Sequence, residues 1–401
     1  MGQSTDDAQD CTRVFRKKTV ILFVSLLSLH ALSATAAREM KRILILTTGF
    51  GEGHNAAARA LAAGLNDLGA QAEVRDLFLE SYGRTQEVSQ RLYIECINRA
   101  AWLWLIVYRL LDWFPLMRFV VGPLLGKMQR LLASVLAEMQ PHAVVSVYPA
   151  YGYVIDRLYP GGGAPFASNT LVTDSITINS VWHRCSSDTW LVPNEDTAAV
   201  MRAAHVPSEK IHVTGFPVPL SFADERPTRL APGGTEPLHI LYMANQAKAD
   251  APAIIRHLLT LDAVKLIVTV GRDAALGRQI QRIAREAGRD IEIHGWTKRM
   301  PELLMSSHIF IGKAGGAATQ ESLAARTPML ITKVVPGQEE GNAQLVVNGG
   351  SGAVCQTSSA IVAQIEDLLA DNCALWHQWH AAITIMSRPN SARDNARFIL
   401  Q

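Results

Sequence analysis

The sequence predicts an α/β protein made of two doubly wound lobes joined by a short linker. Three observations predict it. The 401 residues suffice for two compact domains of ordinary size. Apolar strand-like runs alternate with helical patterns along the whole chain, as in parallel α/β architecture. The stretch FADERPTRLAPGGTEP, residues 222–237, breaks that alternation with Gly, Pro and charge before it restarts, which marks a linker. Hydrophobic residues make up 48% and charged residues 18%, a balance that suits large buried cores and argues against disorder. A net charge of +2 is too small to imply a nucleic-acid partner, and none is expected.

In the first lobe, residues 40–221, the strand candidates are Arg42–Thr48, Ala72–Phe78, Ala143–Tyr148, Thr170–Asp174, Thr189–Val192 and Lys210–Thr214. The second lobe, residues 238–385, restarts with LHILYMAN and continues through VKLIVTVG, IEIHGW, HIFIGKA, PMLITKVV and GAVCQ. Residues 386–401 are expected to form a C-terminal helix that packs back on the first lobe. Sheets of this type bind ligands at the carboxyl ends of their strands.

Residues 1–39 stand apart. Arg16-Lys17-Lys18 precedes the apolar run TVILFVSLLSLHAL, and Ala34, Ala36 and Ala37 follow, as in a cleavable signal. The run is shorter than the roughly 20 residues that a membrane span requires, and Met40 opens directly onto the strand-like KRILILTTGF. A start set too far upstream, a short anchor and secretion all fit; the first is the reading adopted. Five cysteines (Cys11, Cys96, Cys185, Cys355, Cys373) show no CxxC spacing, so free thiols of a reducing compartment are expected rather than a disulfide framework or zinc site.

One stretch departs from the soluble pattern. RAAWLWLIVYRLLDWFPLMRFVV, residues 99–121, carries Trp102, Trp104 and Trp113 with Arg99, Arg109 and Arg118 interleaved. A buried helix fits. So does a helix lying among lipid headgroups, its arginines meeting anionic lipid and its aromatic face entering the acyl boundary; the spaced arginines favour the second.

Three motifs carry chemistry. GFGEGHN, Gly49–Asn55, lies between a strand and a helix, where Gly51 and Gly53 allow close approach and the helix start offers unpaired N–H groups. Its GxGxG spacing fails the dinucleotide fingerprint, although Asp76 follows at a suitable distance. His54, at the helix start, is placed to accept a proton. GKAGGAATQES brings Lys313, a glycine turn at Gly315 and Gly316, then Thr319 and Glu321; the turn suits a diphosphate and the carboxylate suits ribose hydroxyls. PGQEEGNAQ sets Gln338, Glu339 and Asn342 at a strand end, where amides and acids read sugar hydroxyls. No DxD-like pair is placed for Mg²⁺, and His377 and His380 read as helix surface.

Taken together, ILILTTGFGEGHNAAARAL, VPN…KIHVTGFPV and GKAGGAATQES…PMLITKVVPGQEEGN resemble the monogalactosyldiacylglycerol synthase and processive diacylglycerol glucosyltransferase family, and more distantly the enzyme that glycosylates lipid I. The resemblance spans roughly Met40–Ala382. It implies a GT-B fold with acceptor in the N-terminal lobe and UDP-sugar in the C-terminal lobe. His54 then matches the family's base or acceptor-positioning histidine; in the mechanism read here Asp174 orients or assists it. Gly295 and Trp296 fall in the loop that faces uracil, Gly271 and Arg272 match the segment after the second donor-lobe strand, and Gly315, Gly316, Glu321, Gln338 and Glu339 match diphosphate, ribose and sugar contacts. Departures occur at Asn179 and His183, around Trp182, and at Asp273.

The expected reaction is inverting transfer of a hexose from a UDP-sugar to diacylglycerol or a similar lipid, with no cofactor required. The enzyme is expected to be peripheral on the cytoplasmic face of an anionic membrane. A polyprenyl-linked acceptor, a UDP-sugar 2-epimerase and a non-catalytic UDP-sugar sensor are the alternatives.

Overall fold

The computed structural model describes residues 40–401 except 116, 118, 120–123, 230 and 234–236. The expectations for residues 1–39 and for Arg118 therefore lie outside the described residues.

The first lobe runs β1 (Arg42–Leu46), α1 (Glu52–Asp67), β2 (Gln71–Arg75), α2 (Leu77–Tyr82), α3 (Arg84–Arg99), α4 (Ala101–Trp113), α5 (Gly126–Met139) and β3 (Ala143–Ser146). It continues with α6 (Ala150–Leu158), β4 (Ala167–Leu171), β5 (Thr189–Val192), α7 (Glu195–Ala203), β6 (Ile211–Val213) and a single turn, α8 (Ser221–Asp224). The second lobe holds β7 (Leu238–Met243), α9 (Ala251–Leu258), β8 (Val264–Gly271), α10 (Ala274–Glu286), β9 (Glu292–Gly295), α11 (Met300–Ser306), β10 (Ile309–Lys313) and α12 (Gly316–Ala324). After these come β11 (Met329–Lys333), α13 (Glu340–Asn348), β12 (Gly352–Val354), α14 (Ser358–Leu369), α15 (Ala374–Met386) and α16 (Ser391–Ile399).

Both sheets are parallel, ordered β2-β1-β3-β4-β5-β6 and β12-β11-β10-β7-β8-β9. Strand order reverses at β1/β3 in the first and at β7/β10 in the second, the crevices where such sheets bind ligands. Central strands such as β1, β3 and β10 are buried along almost their whole length, because helices cover both faces. Several helices start on side-chain caps that the sequence supplies: Asp76 for α2, Asn194 for α7, Asp273 for α10 and Thr357 for α14 each accept a backbone N–H of the first turn.

The fourth strand differs from the sequence expectation. It spans Ala167–Leu171 rather than Thr170–Asp174, with the polar Ser168 and Asn169 buried in the sheet. The Ser168 amide donates to Asp188 Oδ2 at 2.8 Å, and Asn169 Oδ1 accepts from Thr189 Oγ1 at 2.5 Å. Val172, Thr173 and Asp174 are thereby freed into the loop that enters the cleft.

Helix α16 returns to the first lobe and packs along α1. Arg393 bonds Asp67 at 2.8 Å and Asp224 at 2.7 Å, and Asn395 Nδ2 donates to the Gly215 carbonyl at 2.8 Å. Gly64 makes the crossing possible, since a Cβ there would lie 2.6 Å from the Ala392 carbonyl oxygen. The described cysteines, Cys96, Cys185, Cys355 and Cys373, are all free thiols.

Candidate active site

The first glycine loop is held open by its neighbours. Asp76, the acidic residue of the rejected dinucleotide reading, accepts the Gly49 amide at 3.0 Å while also capping α2. Behind this loop His54 is buried in the first turn of α1. Its Nδ1 lies 2.9 Å from the Val147 carbonyl, just past β3, and 2.9 Å from Thr173 Oγ1, just past β4. A carbonyl can only accept, so Nδ1 carries the ring proton and Nε2 keeps a free lone pair. Burial depresses the imidazole pKa to about 4, only partly offset by the Val147 carbonyl. At neutral pH the ring is an uncharged base.

Aromatic rings wall this base. Tyr148 stands edge-on at 5.2 Å, and Trp182 lies tilted at 6.1 Å. The Trp182 indole N–H donates to Asp174 Oδ2 at 2.8 Å. Asp174 is thus oriented by Trp182 and not by a direct bond to His54, whose partners are Val147 and Thr173. Burial pushes the Asp174 carboxyl up to about 6, opposed by the indole bond and reinforced by Glu339.

The second glycine turn meets this base closely. A Cβ on Gly316 would lie 3.1 Å from the Thr173 carbonyl oxygen, and Thr173 is itself bonded to His54. The start of α12 and the imidazole therefore share one small space, one residue apart. The turn is braced from below: Gln246 Oε1 accepts the Lys313 amide at 2.8 Å, and Asn342 Nδ2 donates to the Ala314 carbonyl at 3.0 Å. Across the same gap the Gly341 amide donates to Thr177 Oγ1 at 2.8 Å, and a Cβ on Gly341 would overlap the Ser175 carbonyl.

Three residues read as ligand contacts are placed otherwise. Glu339 has both carboxylate oxygens engaged, one by Lys313 Nζ at 2.7 Å and one by the Val335 amide at 2.9 Å, so it braces the turn. Asn342 is buried beneath the turn with Oδ1 unbonded, and Thr319 is wholly enclosed with its hydroxyl unbonded. Asn342 thereby supports the glycine turn through Ala314, while Thr319 lies one turn into the helix that follows it. Glu321 is half-buried between lobes; burial raises its carboxyl to about 7, with Arg59 lowering it and Glu52 raising it. Gln338 is half-buried, and its Oε1 accepts the Tyr93 hydroxyl at 2.7 Å. At the ends of β8 and β9, Gly271 pairs with Gly295, and the Arg272 guanidinium lies 5.7 Å from the centre of the exposed Trp296 ring.

Helix α4 has no buried residue. Trp102 and Trp113 are 67% and 68% exposed, and Leu103, Ile106, Val107 and Leu110 lie exposed between them at helical spacing, with Arg109 also exposed. Trp104 does not join this face; it turns inward, 4.9 Å from Tyr93. The helix is pinned from behind, with Asp112 accepting the Ser180 amide at 2.7 Å and Asn179 Nδ2 donating to the Tyr108 carbonyl at 2.9 Å. Among the described residues no helix is long and apolar enough to cross a membrane.

Sequence reasoning missed Thr173, Tyr148, Tyr93 and Gln246. None sits in a glycine motif. Thr173 and Tyr148 each follow a strand closely, the one signal that could have marked them.

Comparison with known proteins adds the lineage. Residues 54–218 match the family described as Monogalactosyldiacylglycerol (MGDG) synthase, and residues 240–392 match the Glycosyltransferase family 28 C-terminal domain. The processive diacylglycerol beta-glucosyltransferase of Bacillus subtilis (strain 168) is 25% identical over 361 residues, 88% of this chain and 93% of the relative. Its namesake from Bacillus mycoides (strain KBAB4) is 23% identical over 371 residues, 88% and 91% respectively. Acinetobacter baumannii MurG superposes with a TM-score of 0.60 at 15% identity, over 90% of this chain and 99% of MurG. The S. aureus MnaA–UDP structure gives 0.55 at 12%, over 88% and 94%. At these identities the structural likeness is one of fold. The chain is a glycosyltransferase of the GT-B fold, joining an N-terminal region of the MGDG synthase family to a family 28 C-terminal domain.

Proposed function

We propose that this enzyme transfers a hexose from a UDP-sugar to the free hydroxyl of diacylglycerol, with inversion, giving a β-glycolipid. One observation carries the reading: a neutral buried imidazole, its Nδ1 fixed on Val147, stands one residue from a glycine turn that opens a helix. The acceptor oxygen attacks the anomeric carbon, its proton passes to His54 Nε2, and the bond to UDP breaks with its electron pair going to the β-phosphate. The amides at Gly315 and Gly316 and the start of α12 meet the developing charge. These amides supply this stabilisation without a metal ion, so transfer is expected to persist in EDTA. Arg272, Trp296 and the backbone at Gly271 and Gly295 take the uracil side, and Glu321 the ribose.

The acceptor route starts on α4. Its exposed apolar face, flanked by Arg109, suits a lipid surface carrying anionic headgroups, with the protein peripheral on the cytoplasmic leaflet. From Trp104 a chain of rings leads inward: Tyr93 at 4.9 Å, Phe50 at 5.8 Å, Tyr148 at 6.0 Å and His54 at 5.2 Å. A diacylglycerol hydroxyl delivered along this wall reaches the base while its acyl chains stay on apolar surface. Domains described as a lipid-sugar synthase and a transferase do not favour the epimerase or sensor readings.

The test is incubation of the protein with UDP-glucose, UDP-galactose or UDP-N-acetylglucosamine and vesicles containing diacylglycerol, with mass spectrometry of the lipids. A hexosyl-diacylglycerol of β configuration is expected; its absence with every donor overturns the proposal.

A further inference from the structure

We infer that Tyr93 decides which hexose the site accepts, by holding the Gln338 side-chain amide in one orientation. This deepens the transferase reading above and rests on it.

Tyr93 arises from an ordinary amphipathic segment, RLYIECINR of α3, yet its hydroxyl bonds a residue 245 positions away in the other lobe. The ring cannot wander: Trp104 stands edge-on at 4.9 Å and Phe50 at 5.8 Å. Burial keeps the phenol protonated, holding its pKa well above the ordinary value. A phenol donates better than it accepts, because its oxygen lone pair is drawn into the ring. Gln338 therefore turns Oε1 toward Tyr93 and directs its two N–H donors elsewhere.

The rest of the turn is already fixed. Gly337 adopts φ 80°, and the Tyr108 ring lies against it so closely that a Cβ would come within 2.8 Å. The Gly337 carbonyl accepts from Thr177 Oγ1 at 3.4 Å, and the Glu339 amide donates to the Val335 carbonyl at 2.9 Å. With the backbone held, the remaining freedom of the reader is the rotation of its side chain, and the bond to Tyr93 restricts that rotation and sets which end of the amide faces the ring. Epimeric hexoses differ in the direction of a single hydroxyl. A fixed N–H donor distinguishes them, whereas a freely turning amide can offer either end to either epimer.

The experiment measures kcat/KM for UDP-glucose and UDP-galactose with diacylglycerol vesicles, in wild type, Tyr93→Phe and Gln338→Leu. Wild type is expected to prefer one sugar. Tyr93→Phe keeps the ring and its packing, and is expected to narrow the preference by about three- to tenfold, the range for one hydrogen bond. Gln338→Leu is expected to narrow it as well, at lower overall activity. A purely structural role for Tyr93 lowers both sugars together and leaves their ratio unmoved; that result overturns the inference, as does a wild type indifferent to the two sugars or a Gln338→Leu variant with its preference intact. A wild type silent with every donor removes the transferase reading and this one with it.

Discussion

Two strand-to-helix turns face each other across the cleft, and their helices begin differently. After β1, helix α1 opens with Glu52, an exposed carboxylate paired with Arg59 at 3.2 Å. After β10, helix α12 opens Gly-Ala-Ala-Thr, with no acid in its first turn. A helix N-terminus carries about half a positive charge. In α1 the chain's own carboxylate answers that charge, and in α12 no side chain of the first turn does. The α1 turn receives an imidazole, buried so that it stays neutral. Two glycine-rich sequences of similar appearance thus open helices of different electrical character, and in the proposed reaction they take opposite parts.

The largest break in this comparison is His54→Ala. Transfer is expected to fall by about 10²–10⁴, the usual contribution of a positioned base, while UDP affinity measured by calorimetry stays within about twofold because the α12 turn is untouched. Loss of both together would place His54 outside the proton-transfer step.

The burial that makes His54 neutral also has a signed cost in stability. Its folded pKa, about 4, lies below the ordinary 6.5, so between pH 6.5 and 4 the unfolded chain binds the proton first and folding weakens by about 3 kcal/mol. Asp174 acts the other way: with its folded pKa raised to about 6, the folded chain binds the proton first, so acidification toward the ordinary carboxyl range favours folding. Denaturant titrations at pH 7 and pH 4.5 are therefore expected to show less acid destabilisation in His54→Gln than in wild type, and more in Asp174→Asn.

A smaller effect tests the electrical asymmetry itself. Ala317→Asp gives α12 the first-turn acid that α1 already has, and UDP affinity is expected to drop about 5- to 30-fold, following the strength of a charge at a helix end. The reciprocal change, Glu52→Gln, is expected to alter stability by less than about 0.5 kcal/mol, since its ion pair is exposed, and to leave transfer intact.

Much of the fold was legible because buried parallel strands announce themselves as apolar runs. VKLIVTVG, residues 264–271, is strand β8 residue for residue. The difference at β4 comes from polarity: Ser168 and Asn169 look like loop residues, yet both are buried, with Asp188 taking the Ser168 amide and Thr189 bonding the Asn169 side chain. Glycine turns were visible, since a strand, glycines and a helix start lie within a dozen residues. What the side chains of those turns bond was not. Glu339 and Asn342 look alike as sugar readers in PGQEEGNAQ, but their partners, Lys313 and Ala314, lie 26 and 28 residues earlier. Tyr93 gave no signal at all, because its partner is on the other lobe.

The return of α16 to α1 bears on how the protein is made. Arg393 reaches Asp67 across 326 residues of chain. At about 5–20 residues per second of synthesis, the surface of α1 that α16 covers waits roughly 16–65 s for its partner after leaving the ribosome. During that interval the apolar ridge around Gly64 is open to solvent and to other nascent chains, so completion of the first-made half depends on translation of the second.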